Sequence, residues 1–296
     1  MKGRIIKGIA GFYYVSDNNN ITECHAKGRF RYDGMSPLVG DFVTYDIIDG
    51  LTEDGLLKGH INSILPRKNS LIRPAAANID CALVIFALKD PDPDISLLDR
   101  ILVTMEYNDI MSVIVFNKSD LSEKEYADEL SGRYEKIGYK TFVTDARDRV
   151  GLDRVRDAIE GQVTAVAGPS GAGKSTIINY LAGRDHMLTG EISRKNRRGK
   201  NTTRHAELLS IGNDSYILDT PGFSSFRIPD MDPAGLTACF PEFMPFYPKC
   251  KYRECSHISE PDCAVKEALE SGLIDRTRYY DYTLMYNDLK ERRRFR

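Results

Sequence analysis

A glycine-rich segment near the middle of the chain has the residue types of a phosphate-binding loop. It reads Gly168-Pro169-Ser170-Gly171-Ala172-Gly173-Lys174-Ser175, follows a strand predicted at Val163–Ala167 and opens a predicted helix. Glycines let the backbone wrap a phosphate, and successive N–H groups together with a helix N-terminus form an anion-binding concavity. This context favours a nucleotide site over a glycine-rich turn without a ligand.

Two side chains of this loop have predicted roles in phosphoryl transfer. We expect Lys174 to act catalytically by reaching the β- and γ-phosphates, and the Ser175 hydroxyl to bind Mg²⁺. The predicted nucleotide contacts of the segment are Gly168, Pro169, Ser170, Gly171, Ala172, Gly173, Lys174, Ser175 and Thr176.

A second segment, Asn117-Lys118-Ser119-Asp120, has the side chains needed to read guanine and lies about fifty residues before the phosphate loop. The carboxylate of Asp120 can accept from N1–H and from the 2-amino group of guanine, whereas adenine offers neither donor. We expect Asn117 to brace the loops and the Lys118 stem to pack over the base. Taken alone, such a tetrad is more typical of a solvated loop, whereas together with the phosphate loop it favours guanine binding.

Two further segments follow predicted strands and complete the expected nucleotide site. In Thr144-Asp145-Ala146 the Ala146 amide is predicted to point at the base oxygen. In Asp219-Thr220-Pro221-Gly222 we expect Asp219 to hold Mg²⁺ through water, and the Gly222 amide to donate to the γ-phosphate.

A basic segment between the phosphate loop and Asp219 is a candidate switch loop. It reads Arg194-Lys195-Asn196-Arg197-Arg198-Gly199-Lys200-Asn201-Thr202-Thr203-Arg204-His205. We expect Thr203 to bind Mg²⁺ and sense the γ-phosphate, with Thr202 as the near alternative. The charges are typical either of a solvated flexible loop or of a loop that contacts RNA phosphates.

A cluster of cysteines and one histidine near the C-terminus has the spacing of a metal site. The pattern is Cys250-x4-Cys255-x-His257-x5-Cys263. Three thiolates and an imidazole suit tetrahedral Zn²⁺, and four protein ligands leave no open position, so the predicted zinc is structural. It would contribute folding free energy on the order of 10 kcal/mol to a proline-broken segment expected to have little core of its own. The alternative is that these cysteines carry no ligand.

Composition places the chain among ordinary soluble proteins. It has 296 residues, 42% hydrophobic and 28% charged, with a net charge of −2, so contacts with nucleic acid must come from local patches. Lys7 interrupts the first apolar stretch, and the run Cys81–Leu88 is too short for a membrane span, so we expect neither signal peptide nor membrane association. The uneven cysteine spacing does not suggest disulfides, and the predicted location is the cytoplasm.

The pattern of the chain predicts three domains. Residues 1–68 carry short alternating segments typical of a small β-barrel, with an OB-fold favoured over another small β-domain. The strands are predicted at Arg4–Ile9, Phe12–Val15, Gly28–Tyr32, Asp41–Asp46 and His60–Ile64, with a linker at Arg67–Pro74. Residues 69–227 alternate apolar strands with amphipathic helices, which indicates an α/β domain with a mostly parallel sheet. Residues 228–296 are proline-rich and then helical, and are predicted to form the zinc-binding domain.

The helices and strands of the α/β region are predicted from their periodicity. Strands are expected at Ala82–Leu88, Ser112–Phe116, Thr141–Val143, Val163–Ala167 and Ser215–Leu218, and helices near Ile95–Tyr107, Glu123–Ile137, Leu152–Ile159 and from Lys174.

These motifs in this order resemble a circularly permuted Ras-like GTPase, because Ras-like proteins place the guanine tetrad after the phosphate loop. More narrowly, the chain resembles the bacterial RsgA (YjeQ) family of GTPases that depend on the small ribosomal subunit, over essentially its whole length. The resemblance rests on the motifs above and on Arg198-Gly199-Lys200, Thr202-Thr203-Arg204-His205 and Phe223 after Gly222. It implies an N-terminal OB domain, a permuted P-loop GTPase domain and a C-terminal zinc domain. It also implies binding to the small ribosomal subunit late in its assembly and GTP hydrolysis stimulated by that subunit. We further expect Mg²⁺, GTP as substrate and GDP as product, contact with 16S rRNA, and a monomer.

Two positions affect the expected catalysis. Ras has a glutamine where this chain has Phe223, so slow intrinsic hydrolysis is expected. The family commonly has histidine where this chain has Asn201, which leaves Asn201 as the candidate for orienting water, with His205 nearby. These departures keep open the alternative of a GTP-gated RNA adaptor with incidental turnover. An ATP-using P-loop enzyme is a third, weaker alternative.

Overall fold

The structure, a computed structural model, describes residues 1–17, 20–26, 30, 35–72, 74–183, 206–219 and 227–294. The chain divides into two compact units. The first comprises Met1–Leu83, Leu152–Val166 and Lys174–Phe223, and the second comprises Val84–Gly151, Ala167–Gly173 and Ser224–Arg296.

The described residues form strands and helices throughout the chain. The strands are β1 (Lys2–Ile9), β2 (Phe12–Asp17), β3 (Asn20–Ala26), β4 (Phe42–Leu51), β5 (Leu57–Ile64), β6 (Ser70–Ile72), β7 (Ala75–Ala77), β8 (Cys81–Ala87), β9 (Met111–Asn117), β10 (Lys140–Val143), β11 (Val163–Ala167), β12 (Glu207–Gly212) and β13 (Ser215–Asp219). The α-helices are α1 (Ile95–Tyr107), α2 (Lys124–Glu135), α3 (Leu152–Ala158), α4 (Lys174–Ala182), α5 (Ala264–Glu270) and α6 (Arg276–Arg294). Among these described helices, none combines the length and the apolar character needed to cross a membrane.

The first unit contains the predicted five-stranded barrel. Its strands pair in the order β1-β2-β3-β5-β4, and β4 pairs back onto β1 and closes the ring. Alternation along the strands turns one set of side chains inward, and these form a fully buried barrel core. That core contains Ile5, Val15, Cys24, Val43, Tyr45 and Ile61.

The third strand of the barrel differs from the prediction. We expected the third strand at Gly28–Tyr32, but it lies at Asn20–Ala26, where it pairs antiparallel with β2 and parallel with β5. The buried Thr22 and Cys24 alternate with exposed or half-buried residues, as one face of a barrel strand requires. Of the predicted segment, only residue 30 lies in the described part of the chain.

The predicted linker also contains regular structure. Within Arg67–Pro74, Ser70–Ile72 forms β6 and pairs antiparallel with β7. The Arg67 guanidinium binds Asp41, whose side chain is fully buried, through Nε at 2.7 Å and Nη2 at 2.8 Å. The charge-paired Arg67 therefore belongs to the packed structure and does not lie in a free connection.

The first unit also includes strands from the later part of the chain. The order β11-β13-β12-β1 joins them to the barrel strand β1, with β11 and β13 parallel and β12 and β13 antiparallel. Strand β12 was not predicted. It pairs with β1 at Lys7↔Glu207, where the two side chains form an ion pair of 2.9 Å.

The second unit contains the parallel strands that carry the predicted guanine-reading segments. Strand β9 lies between β8 and β10, with β9 and β10 parallel over Val113–Phe116. The residues of β9 after Met111 are buried, as expected for a strand covered on both faces. Helix α1 begins where Asp94 caps the Leu97 amide at 2.9 Å, and it has the predicted bounds.

The C-terminal part of the second unit has a substantial apolar core, contrary to expectation. Short 3-10 turns lie at Pro233–Cys239, Pro241–Phe243 and Tyr247–Lys249, before α5 and α6. Fully buried aromatic rings pack at its centre, with Phe240 meeting Tyr282 edge to face at a centroid distance of 5.1 Å. The prolines therefore set the path of a packed segment, and a metal is not its only source of stability.

Candidate nucleotide and metal sites

Asn117, the last residue of β9, connects three of the segments predicted to bind nucleotide. It is 2% exposed, and its Nδ2 donates to the carbonyl of Ala172 at 2.9 Å. Its Oδ1 accepts from the Thr144 hydroxyl at 3.1 Å and from the Ala146 amide at 3.0 Å. One buried amide side chain thus uses its donor and acceptor to hold the phosphate loop, the tetrad and the Thr144–Ala146 segment together.

The rest of the tetrad forms a tight turn that leaves its acid exposed. Lys118 adopts a left-handed conformation with φ 62°, and a 3-10 turn follows at Ser119–Leu121. Asp120 lies in that turn with its side chain exposed. The Lys118 ammonium donates to the carbonyl of Asp90, in the loop that precedes α1. The Ala146 amide, for which a contact with a base oxygen is predicted, donates to Asn117 Oδ1.

The glycines of the phosphate loop in the second unit have positive φ and close neighbours. Gly168 has φ 134°, and a Cβ there would overlap the carbonyl oxygen of Ile85. Gly173 has φ 95°, and a Cβ there would overlap Nδ2 of Asn117. Gly171 has φ 84°, and its Cβ would lie 3.3 Å from Pro91 Cδ. The loop can therefore approach the strand ends only because these residues lack side chains.

Replacing Gly173 with alanine is expected to weaken GDP binding by more than about tenfold, because the new methyl must displace the Asn117 side chain from the loops. Equilibrium titration with GDP measures the effect. Gly272→Ala is the matched control: it has φ 72° and open space around its Cβ, so it adds backbone strain without the collision. Equal GDP affinities in the two variants would contradict the proposed role of the Gly173–Asn117 contact.

The other predicted phosphate-site residues are described only in part. Lys174, Ser175 and Thr176 begin α4 and are half-buried, and burial lowers the pKa of the Lys174 ammonium. A buried ammonium is favoured by a nearby anion, as a phosphate would provide. Asp219 ends β13. Asn201, Thr202, Thr203 and Gly222, with the basic segment Arg194–His205 and Phe223, lie outside the described residues.

The cysteine and histidine residues predicted to hold zinc lie together. The ligand atoms of Cys250, Cys255, His257 and Cys263 all lie within 4.8 Å of one another. His257 Nδ1 lies 3.6 Å from Cys250 Sγ and 3.4 Å from Cys263 Sγ, and those two sulfurs are 3.9 Å apart. Tetrahedral zinc, with Zn–S of about 2.3 Å and Zn–N of about 2.0 Å, requires separations of about 3.5 Å for N···S and about 3.8 Å for S···S. The donor set and its spacing therefore fit zinc.

Two of the four ligands lie at the ends of short elements. Cys250 ends the 3-10 turn at Tyr247–Lys249, and Cys263 precedes α5. His257 turns the chain with φ 60° and is fully buried, with the Phe243 ring edge-on at 5.9 Å. Burial raises the pKa of the Cys255 thiol to about 12, so a bound cation would be needed to stabilise the thiolate.

Glu260, which sequence reasoning did not single out, closes the loop between two ligands. Its Oε1 accepts from the Ser256 amide at 3.0 Å and the Ser256 hydroxyl at 2.7 Å, and its Oε2 accepts from the Ile258 amide at 3.2 Å. Burial alone would raise the pKa of this carboxyl, but the Ser256 and Ile258 donors outweigh it and lower the pKa to about 2. Sequence alone carried no signal for this residue beyond its place between His257 and Cys263.

Glu260→Gln is expected to destabilise the metal loop by about 1–3 kcal/mol, because a neutral amide is a weaker acceptor for these donors. The measurement is the rate at which a chelator removes metal from the protein, which should rise several-fold. The stabilisation by Glu260 is present above its ordinary pKa of 4.5 and is lost as the pH falls toward about 2. The exposed Glu254→Gln serves as control, and equal rates in both variants would refute the role of Glu260.

The chain is similar to known proteins over most of its length. A family model described as RsgA GTPase matches residues 64–229, and one described as RsgA N-terminal domain matches residues 2–53. The Small ribosomal subunit biogenesis GTPase RsgA of Agathobacter rectalis is 48% identical over 306 residues, covering 100% of both chains. The protein of the same name from Clostridium beijerinckii is 46% identical, covering 98% of both.

Two solved structures are similar to this chain over almost its whole length. The crystal structure of YloQ, a circularly permuted GTPase, superimposes with a TM-score of 0.80 and 33% identity, covering 98% of this chain and 95% of YloQ. The crystal structure of YjeQ from Thermotoga maritima gives a TM-score of 0.81 and 30% identity, covering 97% and 98%. The fold is thus that of a circularly permuted GTPase with an N-terminal β-barrel, and the chain belongs to the RsgA GTPase family.

Proposed function

We propose that this protein hydrolyses GTP in the biogenesis of the small ribosomal subunit, as the names of its relatives state for them. The single observation that carries the proposal is the hydrogen bond from the Asn117 side chain to the carbonyl of Ala172. The buried side chain of Asn117 ties the tetrad to the phosphate loop by this bond, although the two segments lie 55 residues apart. A guanine reader and a phosphate cradle joined in this way form one nucleotide site.

Within this site we assign the residues by their chemistry. Asp120 accepts from guanine, Lys118 packs over the base once it leaves Asp90, and the amides of Gly168–Gly173 contact the phosphates. Lys174 stabilises charge on the γ-phosphate during in-line attack by water. Ser175, Thr203 and Asp219 would hold Mg²⁺, which neutralises phosphate charge when bound, and Gly222 donates to the γ-phosphate. Asn201 is the proposed group for orienting water.

We assign the cluster of Cys250, Cys255, His257 and Cys263 to one structural zinc ion. The support is the match of the ligand separations to a tetrahedral ion and the burial of three of the four ligands. The ion would hold the segment between Cys250 and Cys263 against the aromatic core.

The proposed organisation follows the domain limits 1–68, 69–227 and 228–296. The barrel and the basic segment Arg194–His205 would contact 16S rRNA of the small subunit, mainly through phosphates. The protein would act as a cytoplasmic monomer. Phe223 and Asn201, which keep an adaptor without active turnover under consideration, lie outside the described residues, so the geometry gives that alternative no separate support.

Purified small subunits are expected to raise the GTP turnover of this protein by at least about tenfold, because completing a catalytic site in trans accounts for large rate gains in GTPases. Turnover is measured with small subunits, with large subunits and without ribosomal particles. Stimulation by neither particle, or by both equally, would count against a function specific to the small subunit.

A further inference from the structure

Helix α6 contacts α1 through two charged residues one turn apart. The Arg278 guanidinium donates from Nη1 to Asp99 Oδ1 at 2.9 Å, and Asp281 Oδ1 accepts from the Ser96 hydroxyl at 2.5 Å. Asp99, Arg278 and Asp281 are at most 1% exposed. A buried polar contact of this kind must balance its charges and satisfy its donors and acceptors.

Negative charge exceeds positive charge at this contact. Arg278 also binds Glu242, from Nε to Oε1 at 2.7 Å and from Nη2 to Oε2 at 3.2 Å. Among the described residues that make these bonds, one guanidinium therefore binds two carboxyl groups, those of Asp99 and Glu242, and the contact adds a third, that of Asp281. Such an excess in a site closed to water favours the uptake of a proton.

Two carboxyl oxygens at the contact have no donor in the described part of the chain. They are Asp99 Oδ2 and Asp281 Oδ2, both buried. On α1, Ser96 lies one turn before Asp99, and on α6, Arg278 lies one turn before Asp281, so the bonds Ser96–Asp281 and Arg278–Asp99 bring both unpartnered oxygens to the same contact of the two helices. Ionised carboxylates only accept hydrogen bonds, so a proton on one of the two groups would let that group donate. A single proton between them would satisfy both oxygens at once.

We propose that Asp99 and Asp281 share one proton in the folded protein, and that this proton fastens helix α6 to helix α1. The same helix also holds the metal loop. Tyr279 donates to the carbonyl of His257 at 2.6 Å, and Tyr282 donates to the carbonyl of Ser256 at 2.9 Å. Loss of the proton would place two adjacent negative charges between α1 and α6 and weaken the seating of α6.

The direction of the pH dependence follows from the groups around the pair. Burial, opposed by Arg278 and Tyr134, raises the pKa of Asp99 from 3.8 to about 6. The titratable and charged groups surrounding the pair are Glu106 on α1, Tyr134 on α2, Tyr139 before β10, Glu242 in its 3-10 turn and Arg278 on α6. A raised pKa in the folded state means that the stabilisation is complete below about pH 4 and is lost as the pH rises through about 6.

Asp281→Asn provides the test, because an asparagine can accept from Ser96 and donate permanently to Asp99. In the full-length, zinc-loaded wild type, hydrogen exchange should show the opening of α6 becoming about tenfold more frequent between about pH 5 and about pH 7.5, after correction for intrinsic exchange. The variant should lack this increase and should protect α6 better than the wild type at the higher pH. Asp128→Asn, the same change at an exposed position of α2, should leave the increase in place.

Two outcomes would overturn the proposal. One is an identical pH dependence of α6 opening in the wild type and in Asp281→Asn. The other is the absence, at about pH 5, of an infrared carbonyl band from a protonated carboxyl that disappears on raising the pH. The infrared measurement uses the wild type alone and therefore decides the question even where the variant fails to fold.

Discussion

Replacing Asp120 with asparagine is expected to lower the affinity for GDP by about a hundredfold or more and to shift the base preference from guanine to xanthine. A carboxylate that accepts from N1–H and the 2-amino group makes two charge-assisted hydrogen bonds, each worth about 1.5–3 kcal/mol. The asparagine amide keeps one acceptor but presents a donor to the 2-amino group, which leaves that group unpaired. Xanthine has an oxygen at the same position and can accept from the amide.

The fold should tolerate this change. Asp120 lies exposed in the 3-10 turn Ser119–Leu121, whereas the bracing of the loops depends on Asn117. The measurement is equilibrium binding of GDP, XDP and ADP to the wild type and the variant. Asp128→Asn makes the same chemical change at an exposed position of α2 and should alter none of the three affinities. Unchanged GDP binding by Asp120→Asn would show that this carboxylate does not recognise the base. Tighter binding of ADP than of GDP by the wild-type protein would favour an ATP-using enzyme.

The local parts of the site could be predicted because they depend on short segments. A glycine-rich run between a strand and a helix restricts its own backbone, and Gly168 and Gly173 have the positive φ that this requires. Residues that directly follow parallel strands meet at one edge of a sheet, which is why the role of Asn117 in bracing loops was a reasonable expectation. The bounds of α1 followed from periodicity, and the structure adds the capping side chain of Asp94.

Features that depend on pairing across the chain could not be predicted in the same way. Strand β3 was misplaced because apolar and polar residues also alternate in the neighbouring segments of the chain. Only the pairing with β2 and β5 selects Asn20–Ala26 as the strand. The contact of Asp99 with Arg278 joins residues 179 positions apart, and nothing local in either segment indicates it. The cluster of three cysteines and one histidine could be predicted from spacing, but Glu260, which orders the loop of this cluster, could not.

The structure also changes the expected role of the metal. The C-terminal region has an aromatic core of its own around Phe240, Phe243 and Tyr282. His257 lies at its edge, with the Tyr247 ring edge-on at 5.6 Å. A metal at the cluster would therefore order the segment from Cys250 to Cys263 against this aromatic core, and the two sources of stability can be separated by experiment.

Cys263→Ala is expected to abolish stoichiometric zinc binding and to unfold the segment 250–263, with a loss of stabilisation on the order of 10 kcal/mol in that segment. Three remaining ligands cannot close a tetrahedral structural site. Cys263 directly precedes α5, so the loss should spread to that short helix. Helix α6 should remain folded, because Arg278 and Asp281 fasten it to α1 independently of the metal. Zinc content by metal analysis and limited proteolysis of the full-length protein test both expectations.

The control is Cys239→Ala, which changes a buried thiol outside the cluster. This variant should keep one equivalent of zinc, and its segment 250–263 should stay resistant to protease. Full zinc content in Cys263→Ala would remove the cluster from consideration as a metal site, whereas protease cleavage throughout α6 would show that the metal holds the whole C-terminal region.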